Sequence, residues 1–331
     1  MIFLLLAILL LGALSFLFTF LLKEYAVRNK LLSIPNERSL HDTPTPRSGG
    51  VAIVISWYIG ITIFYFYGIL DKTLYYALLC GILIAIVSLL DDLFGVKPVI
   101  RLIVHFITAI LAFICLHGLR PLVLPGIHFD YNFIVYPLAI VGIVWFINLF
   151  NFMDGVDGFA SIEAIIIASV LFIFSWNISA ILLIVTIGGF LCWNWPKAKI
   201  FMGDTGSTQL GFILVIMGIY FHNNLEFSIL NWIMLTAPFW FDATLTLLRR
   251  WRNNEKLSEG HRKHVYQRLV QMGFSHEKVN LYLILINILN ILLISVYREI
   301  KLLQIPLFIL TLVSYYILTR WVDLRIPFGK K

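Results

Sequence analysis

The sequence predicts an all-α, polytopic membrane protein of about eleven transmembrane helices, with its N-terminus outside and its C-terminus inside. Three observations carry that prediction. Apolar residues make up 60% of the 331-residue chain and charged residues only 13%, against about half and about a quarter in a soluble domain. The apolar residues fall in long uninterrupted runs, whereas strands of an outer-membrane barrel would alternate over roughly ten residues. The third observation is where Lys and Arg fall.

The runs are 1–22, 51–70, 73–90, 101–119, 133–150, 160–176, 178–195, 208–221, 229–248, 279–296 and 303–319. Most approach the roughly 17–25 residues that cross a hydrocarbon core as a helix. No basic segment precedes the first run, and Lys23, Arg28 and Lys30 follow it. It therefore reads as an anchor and not as a cleavable signal peptide. A proline-punctuated segment at 35–50 leads into the second run, and the third ends at Asp91-Asp92. The sixth and seventh are joined only by Ser175-Trp176-Asn177, and a basic loop at 249–278 follows the ninth. With the N-terminus outside, just Lys72, Arg120, Arg298 and Lys301 of the 25 Lys and Arg lie outside. The positive-inside rule fixes the orientation on that asymmetry. Cys80, Cys115 and Cys192 all fall within runs, without disulfide or zinc spacing. No repeat or linker divides the chain, which reads as one membrane domain over 1–331.

The net charge of +7 is thus a cytoplasmic-face property, suited to anionic headgroups and phosphorylated substrates. No aromatic–basic platform points to nucleic acid. The acids sharpen this. Asp91-Asp92 end the third run, Asp154 and Asp157 follow the fifth, Asp204 precedes the eighth, and Asp242 lies in the inner half of the ninth. All six gather at cytoplasmic helix ends under a topology that the basic residues set independently. A charge deep in a span costs about 2.5–3.5 kcal/mol on insertion scales, which makes it a functional candidate by default. Clustered carboxylates repel unless a cation neutralises them. A hard divalent ion does so with one or two carboxylates and leaves its other positions to water and phosphate.

Each motif also has a plainer explanation. LLDDLFG (89–95) is equally a helix end turning at Gly95. In NFMDGVDG (151–158) the repeated Asp-Gly sets two carboxylates three apart, on one face if helical, each followed by a glycine that admits close backbone approach; a polar turn is the rival. KIFMGDTGST (199–208) opens a helix, whose free N–H groups suit phosphate or merely an N-cap. The loop RRWRNNEKLSEGHRKHVYQRLVQMG (249–273) holds His261 and His264 without further zinc-spaced ligands, so zinc is rejected. It is either an interfacial segment or a cationic lid over a diphosphate. In PNERSLHDTPTPRSGG (35–50), Arg47 and Gly49-Gly50 suit a phosphate contact, with a simple connector as the alternative.

Taken in series, PNERSLHDTPTPRSGG, SLLDDLFGVKP with Arg101, NFMDGVDGFA, FMGDTGS, PFWFD and HRKHVYQRL resemble the polyprenyl-phosphate N-acetylhexosamine-1-phosphate transferases. More distantly they resemble phospho-N-acetylmuramoyl-pentapeptide transferase. The resemblance covers nearly the whole chain. It implies transfer of a sugar-1-phosphate from a UDP-sugar to undecaprenyl phosphate, with release of UMP, at the cytoplasmic face of the bacterial inner membrane. Such a step begins O-antigen, capsule or related surface-glycan synthesis. It implies Mg²⁺, with Mn²⁺ as a substitute, and is compatible with a homodimer. Asp91, Asp92 and His264 are then the catalytic residues. Asp204 and Asp92 are the metal ligands, and Asn151, Asp154, Asp157 and Phe201 line the nucleotide-sugar site. Arg47, Arg101, Arg262 and His261 bind phosphate. The chain departs from the common pattern in continuing Val265-Tyr266-Gln267 after His264 and in carrying His105 where glutamine is usual.

On this reading a lipid-phosphate oxygen attacks the β-phosphorus, directly or after an aspartyl-phosphate forms at Asp91 or Asp92. The rival from another class is a secondary transporter with buried acids as cation or proton sites. That rival calls for repeat symmetry and broken helices at the midplane, whereas here the acids lie at one face and the halves do not repeat.

Overall fold

The computed structural model describes residues 2–35, 40–124, 127–129, 132–257 and 259–329. Residues 36–39 of the proline-punctuated motif lie outside them. The protein is an all-α polytopic membrane protein, and its chain divides into two compact units.

The first unit comprises Met1–Ile34 and Pro44–Ile229. Its helices are α1 (Ile2–Arg28), α2 (Gly50–Phe66), α3 (Lys72–Leu79), α4 (Ile82–Phe94), α5 (Pro98–Cys115), α6 (Asn132–Phe152), α7 (Phe159–Ser175), α8 (Ile178–Asn194) and α9 (Gly203–Asn223). Two short antiparallel pairs punctuate them, Leu32–Ser33 with Thr45–Pro46 and Leu122–Leu124 with Ile127–Phe129. Caps set several starts: Asp71 accepts from the Thr73 and Leu74 amides before α3, and Asn177 accepts from Ser179 before α8.

α9 is the centre of this unit, packing on α2, α3, α4, α6 and α7. Every residue from Thr205 to Ile219 is buried. A helix apolar on all sides must be enclosed by others, and small residues let them come close. A Cβ on Gly50 of α2 would stand 2.4 Å from the Gly206 Cα of α9. That crossing therefore admits only glycine. α1 lies on α8, with the Ser15 hydroxyl donating to the Thr186 carbonyl at 2.6 Å.

The second unit comprises Pro35–Thr43 and Leu230–Lys331. Its helices are α10 (starting at Ile229 and ending at Leu235), α11 (Ala237–Arg252), α12 (Val265–Gln271), α13 (His276–Glu299) and α14 (Gln304–Arg325). α11 and α12 both pack on α13 and α14. Ser275 caps α13, its side chain accepting from the Lys278 amide. The Asn290 amide donates to the Tyr315 hydroxyl at 2.6 Å inside the apolar pack.

Among the described residues, six stretches are long and apolar enough to cross a membrane: Leu4–Arg28, Lys72–Phe94, Pro98–Cys115, Phe133–Phe152, His276–Val296 and Gln304–Arg325. Gly50–Phe66, Phe159–Ser175 and Ile178–Asn194 are shorter apolar helices. Each of the eleven apolar runs coincides with a helix or with a pair broken by a turn. The third run is α3 and α4, parted at Cys80-Gly81, and the ninth is α10 and α11, parted at Thr236.

Candidate active site

The first unit brings Asp91, Asp92, Asp154, Asp157 and Asp204 to the ends of four helices. α4 ends at Gly95, whose φ of 73° needs no Cβ. Its last turn carries Asp91 and Asp92 in different directions. One Asp91 oxygen takes the Val96 amide at 2.6 Å, which closes the turn. The other meets Nη1 of Arg101, one turn into α5. Asp92 turns instead to the start of α9. It accepts from the Asp204 amide at 3.0 Å, the Thr205 amide at 3.1 Å and the Thr205 hydroxyl at 2.7 Å. It is an N-cap supplied from another helix, and an anion at a helix N-terminus is favoured by the free N–H groups there. Gly203 makes room for it. Its φ is 78°, and a Cβ would lie 3.0 Å from an Asp92 oxygen and 3.1 Å from the Ser48 backbone.

Asp204 is thereby set between α5 and α6. The same Arg101 Nη1 reaches its Oδ2 at 2.7 Å, and the Asn151 amide donates to its Oδ1 at 3.0 Å. Asn151 also donates to Ser207 at 2.9 Å. Asp154, in the turn after α6, has its carboxyl pushed well above the usual carboxylate range. Burial is the main cause, and the charges of Asp204, Asp157 and Asp92 add to it.

The turn at Gly155–Gly158 holds the segment before α9. Asp157 accepts from the Ala198 amide at 3.1 Å, and Asn194 links the Gly158 amide to the Ile200 carbonyl. Phe201 is half-buried, its backbone paired with Pro46 and Gly49 at 2.8 and 2.9 Å. Arg47 is exposed beside that pairing. Deeper along α5, buried His105 faces the Asn148 amide at 3.3 Å.

The structure thus brings together Asp91, Asp92, Arg101, Asn151, Asp154 and Asp204, with Asp157 on the α6–α7 turn and Phe201 on the α8–α9 loop that Asp157 holds. Sequence reasoning missed Thr205, Ser207 and Asn194 as partners. The first two stood in the quoted GDTGST string, but Asn194 carried no signal. It also gave Asp92 a metal-ligand role, without foreseeing the three donors that both its oxygens serve.

In the second unit, Asp242 of α11 accepts from the Val265 amide at 2.9 Å and from the Thr246 hydroxyl at 3.0 Å. It stands 3.5 Å from Nδ1 of buried His264. The His261 ring centre lies 4.8 Å from that of His264, and the Lys263 amide donates to His261 Nδ1 at 3.2 Å. A nitrogen that accepts is unprotonated. Burial, then the neighbouring His264 and Arg250, lower the His261 pKa to about 3. Arg262 is half-buried, its carbonyl accepting from Gln271.

Among the described residues no three His, Cys, Asp or Glu side chains stand together as a metal cluster. Yet oxygens of Asp91 and Asp204, from distant stretches of chain, converge on a single cationic nitrogen. Two carboxylates around one positive point fit Mg²⁺, which takes one or two and leaves its remaining positions open.

A family model described as glycosyl transferase family 4 matches residues 74–222. A Bacillus subtilis protein named probable undecaprenyl-phosphate N-acetylglucosaminyl 1-phosphate transferase is 31% identical over 281 residues, covering 80% of this chain and 77% of that protein. The chain belongs to glycosyl transferase family 4. Other family relatives include a decaprenyl-phosphate N-acetylglucosaminephosphotransferase of Mycobacterium leprae, 27% identical over 78% of this chain and 75% of its own. A phospho-N-acetylmuramoyl-pentapeptide-transferase of Streptococcus thermophilus is 30% identical over 53% of this chain and 58% of its own. The stretch matched by the glycosyl transferase family 4 model contains every first-unit site residue except Arg47.

Proposed function

We propose that the protein transfers an N-acetylhexosamine-1-phosphate from a UDP-sugar to undecaprenyl phosphate and releases UMP, at the cytoplasmic face of a bacterial inner membrane. O-antigen, capsule and cell-wall glycans all begin with a step of this kind. The observation that carries the reading is the convergence of Asp91 and Asp204 on Arg101, in a chain whose family relatives bear polyprenyl-phosphate transferase names.

An oxygen of the lipid phosphate attacks the β-phosphorus of the donor. The bond from that phosphorus to the oxygen of UMP breaks, and UMP leaves with the electron pair. Catalysis of such a transfer is mostly positioning and charge neutralisation. Asp204 and Asp91 would hold Mg²⁺, or Mn²⁺ in its place, and the ion would supply Lewis acidity toward the diphosphate. Asp92 fixes Asp204 by gripping the start of α9. Asp91 takes any proton the lipid phosphate retains, and Arg101 offers its guanidinium to phosphate. Asn151, Asp154, Asp157 and Phe201 receive the nucleotide sugar. Arg262 and His264 are the second unit's candidates for contacting the donor's phosphates on binding.

The test is purified protein in detergent with undecaprenyl phosphate and a panel of UDP-N-acetylhexosamines. UMP should appear with at least one donor and only when both substrates are present. Asp204→Asn should remove that release while the protein stays folded. Wild-type turnover in that variant would take Asp204 out of the metal role.

A further inference from the structure

Among the described residues, the loop carrying His261, Arg262 and His264 has no helix or strand of its own between α11 and α12. Part of its support is local. Buried Arg250 reaches Glu255 at 3.2 Å and the Glu259 carbonyl at 3.1 Å, and Lys263 pairs with Glu255 at 2.8 Å. The rest comes from far along the chain. Asp323 of α14, its side chain 10% exposed, receives both ends of the Arg249 guanidinium at 3.1 and 3.0 Å. Its Oδ1 also meets Arg268 of α12 at 2.9 Å, and Arg320 stands 3.6 Å away. Just beyond α14, the Phe328 ring lies 3.9 Å from the Arg249 guanidinium carbon, 5.5 Å from Lys263 Nζ and 5.8 Å from Arg268. Arg268 donates as well to the Ile326 carbonyl.

One carboxylate and one ring therefore tie the last turn of α11, the body of α12 and the loop's own Lys263 to α14. Three arginines share that single acid. Removing its charge leaves buried Arg268 facing half-buried Arg249 with no acid between them, which is costly and drives α11 and α12 apart. Cations on an aromatic face contribute most when desolvated, and Phe328 is only 8% exposed.

We propose that Asp323 and Phe328 are positioning residues that hold the 253–264 loop in its working conformation. The consequence for turnover rests on the transferase reading above; the consequence for the loop does not. The experiment compares the full-length protein in detergent with Asp323→Asn, Phe328→Ala and the ring-retaining Phe328→Tyr. Amide hydrogen exchange over 253–264 is measured beside UMP release against UDP-sugar concentration. Asp323→Asn and Phe328→Ala should speed exchange in the loop and raise KM for the nucleotide sugar about tenfold, with kcat within about twofold. Phe328→Tyr should restore both readouts. Unchanged exchange in the loop, or a lowered melting temperature with KM untouched, overturns the proposal. If Asp323→Asn does not fold, the Phe328 pair decides alone. If the wild type releases no UMP from any donor in the panel, the transferase reading fails and the exchange measurement still decides the loop's dependence on α14.

Discussion

Asp92 is buried and Asp204 half-buried in one cluster, and their partners predict opposite phenotypes. Asp92 serves three donors at the start of α9. Asparagine there keeps one acceptor and turns an N–H₂ group toward N–H groups. Hydrogen bonds to a charged group are worth about 1.5–3 kcal/mol, so Asp92→Asn should lower thermal stability in detergent by a comparable amount. Asp204→Asn should leave melting close to wild type and abolish turnover. His261 gives a pH prediction. Its pKa of about 3 lies below the roughly 6.5 of a free imidazole. As pH falls through 6.5 the unfolded chain takes the proton and the folded one does not, so stability declines from there down to about pH 3. Isotope-labelled imidazole resonances of His261 should stay neutral from pH 8 to pH 5, and titration near 6.5 would refute the buried arrangement. At this scale the string shows which acids are present and not which partner each one meets. Asp91 and Asp92 are neighbours on a helix and diverge by about 100°. Nothing in the string says which one faces α9. Arg101 was legible as a cation near phosphate, and its bridge between two acids was not.

Helices were legible because lipid solvent forces long apolar runs, and each run did become helix. Their interruptions were less so. α3 and α4 part at Gly81, where a Cβ would stand 2.5 Å from the Phe212 ring of α9; the string shows the glycine but not the tertiary approach that requires it. α10 and α11 part at Thr236, whose hydroxyl donates to the Trp232 carbonyl at 2.9 Å just ahead of Pro238. Proline in the first turn needs no N–H partner, so this break had a readable cause. The α2–α9 crossing yields a paired prediction. Gly50→Ala drives a Cβ into the Gly206 backbone, so it should destabilise by about 1–3 kcal/mol or more as overpacking does. Gly142→Ala on α6, with nothing within 4 Å, should be neutral or stabilise by roughly 0.5–1 kcal/mol through helix propensity. Thermal unfolding of the two in one detergent checks the contrast.

For the molecule as a whole, the expected orientation is open to direct measurement. In a background without the native cysteines, Lys72→Cys should react with a membrane-impermeant maleimide on intact cells, and Lys256→Cys only after lysis. The reverse pattern would turn the topology over and put the acid cluster on the wrong side for a cytoplasmic donor. Two compact units were not legible. A boundary in a soluble chain shows as a polar linker, but here the short polar stretch 222–228 before Ile229 reads like any other turn between two apolar runs. The Arg101 bridge has a last consequence. The nascent chain brings its own counter-charge to the acids, so assembly does not wait for a mineral partner as it does in a zinc finger. Chelation should therefore silence UMP release reversibly while leaving the melting temperature where it was.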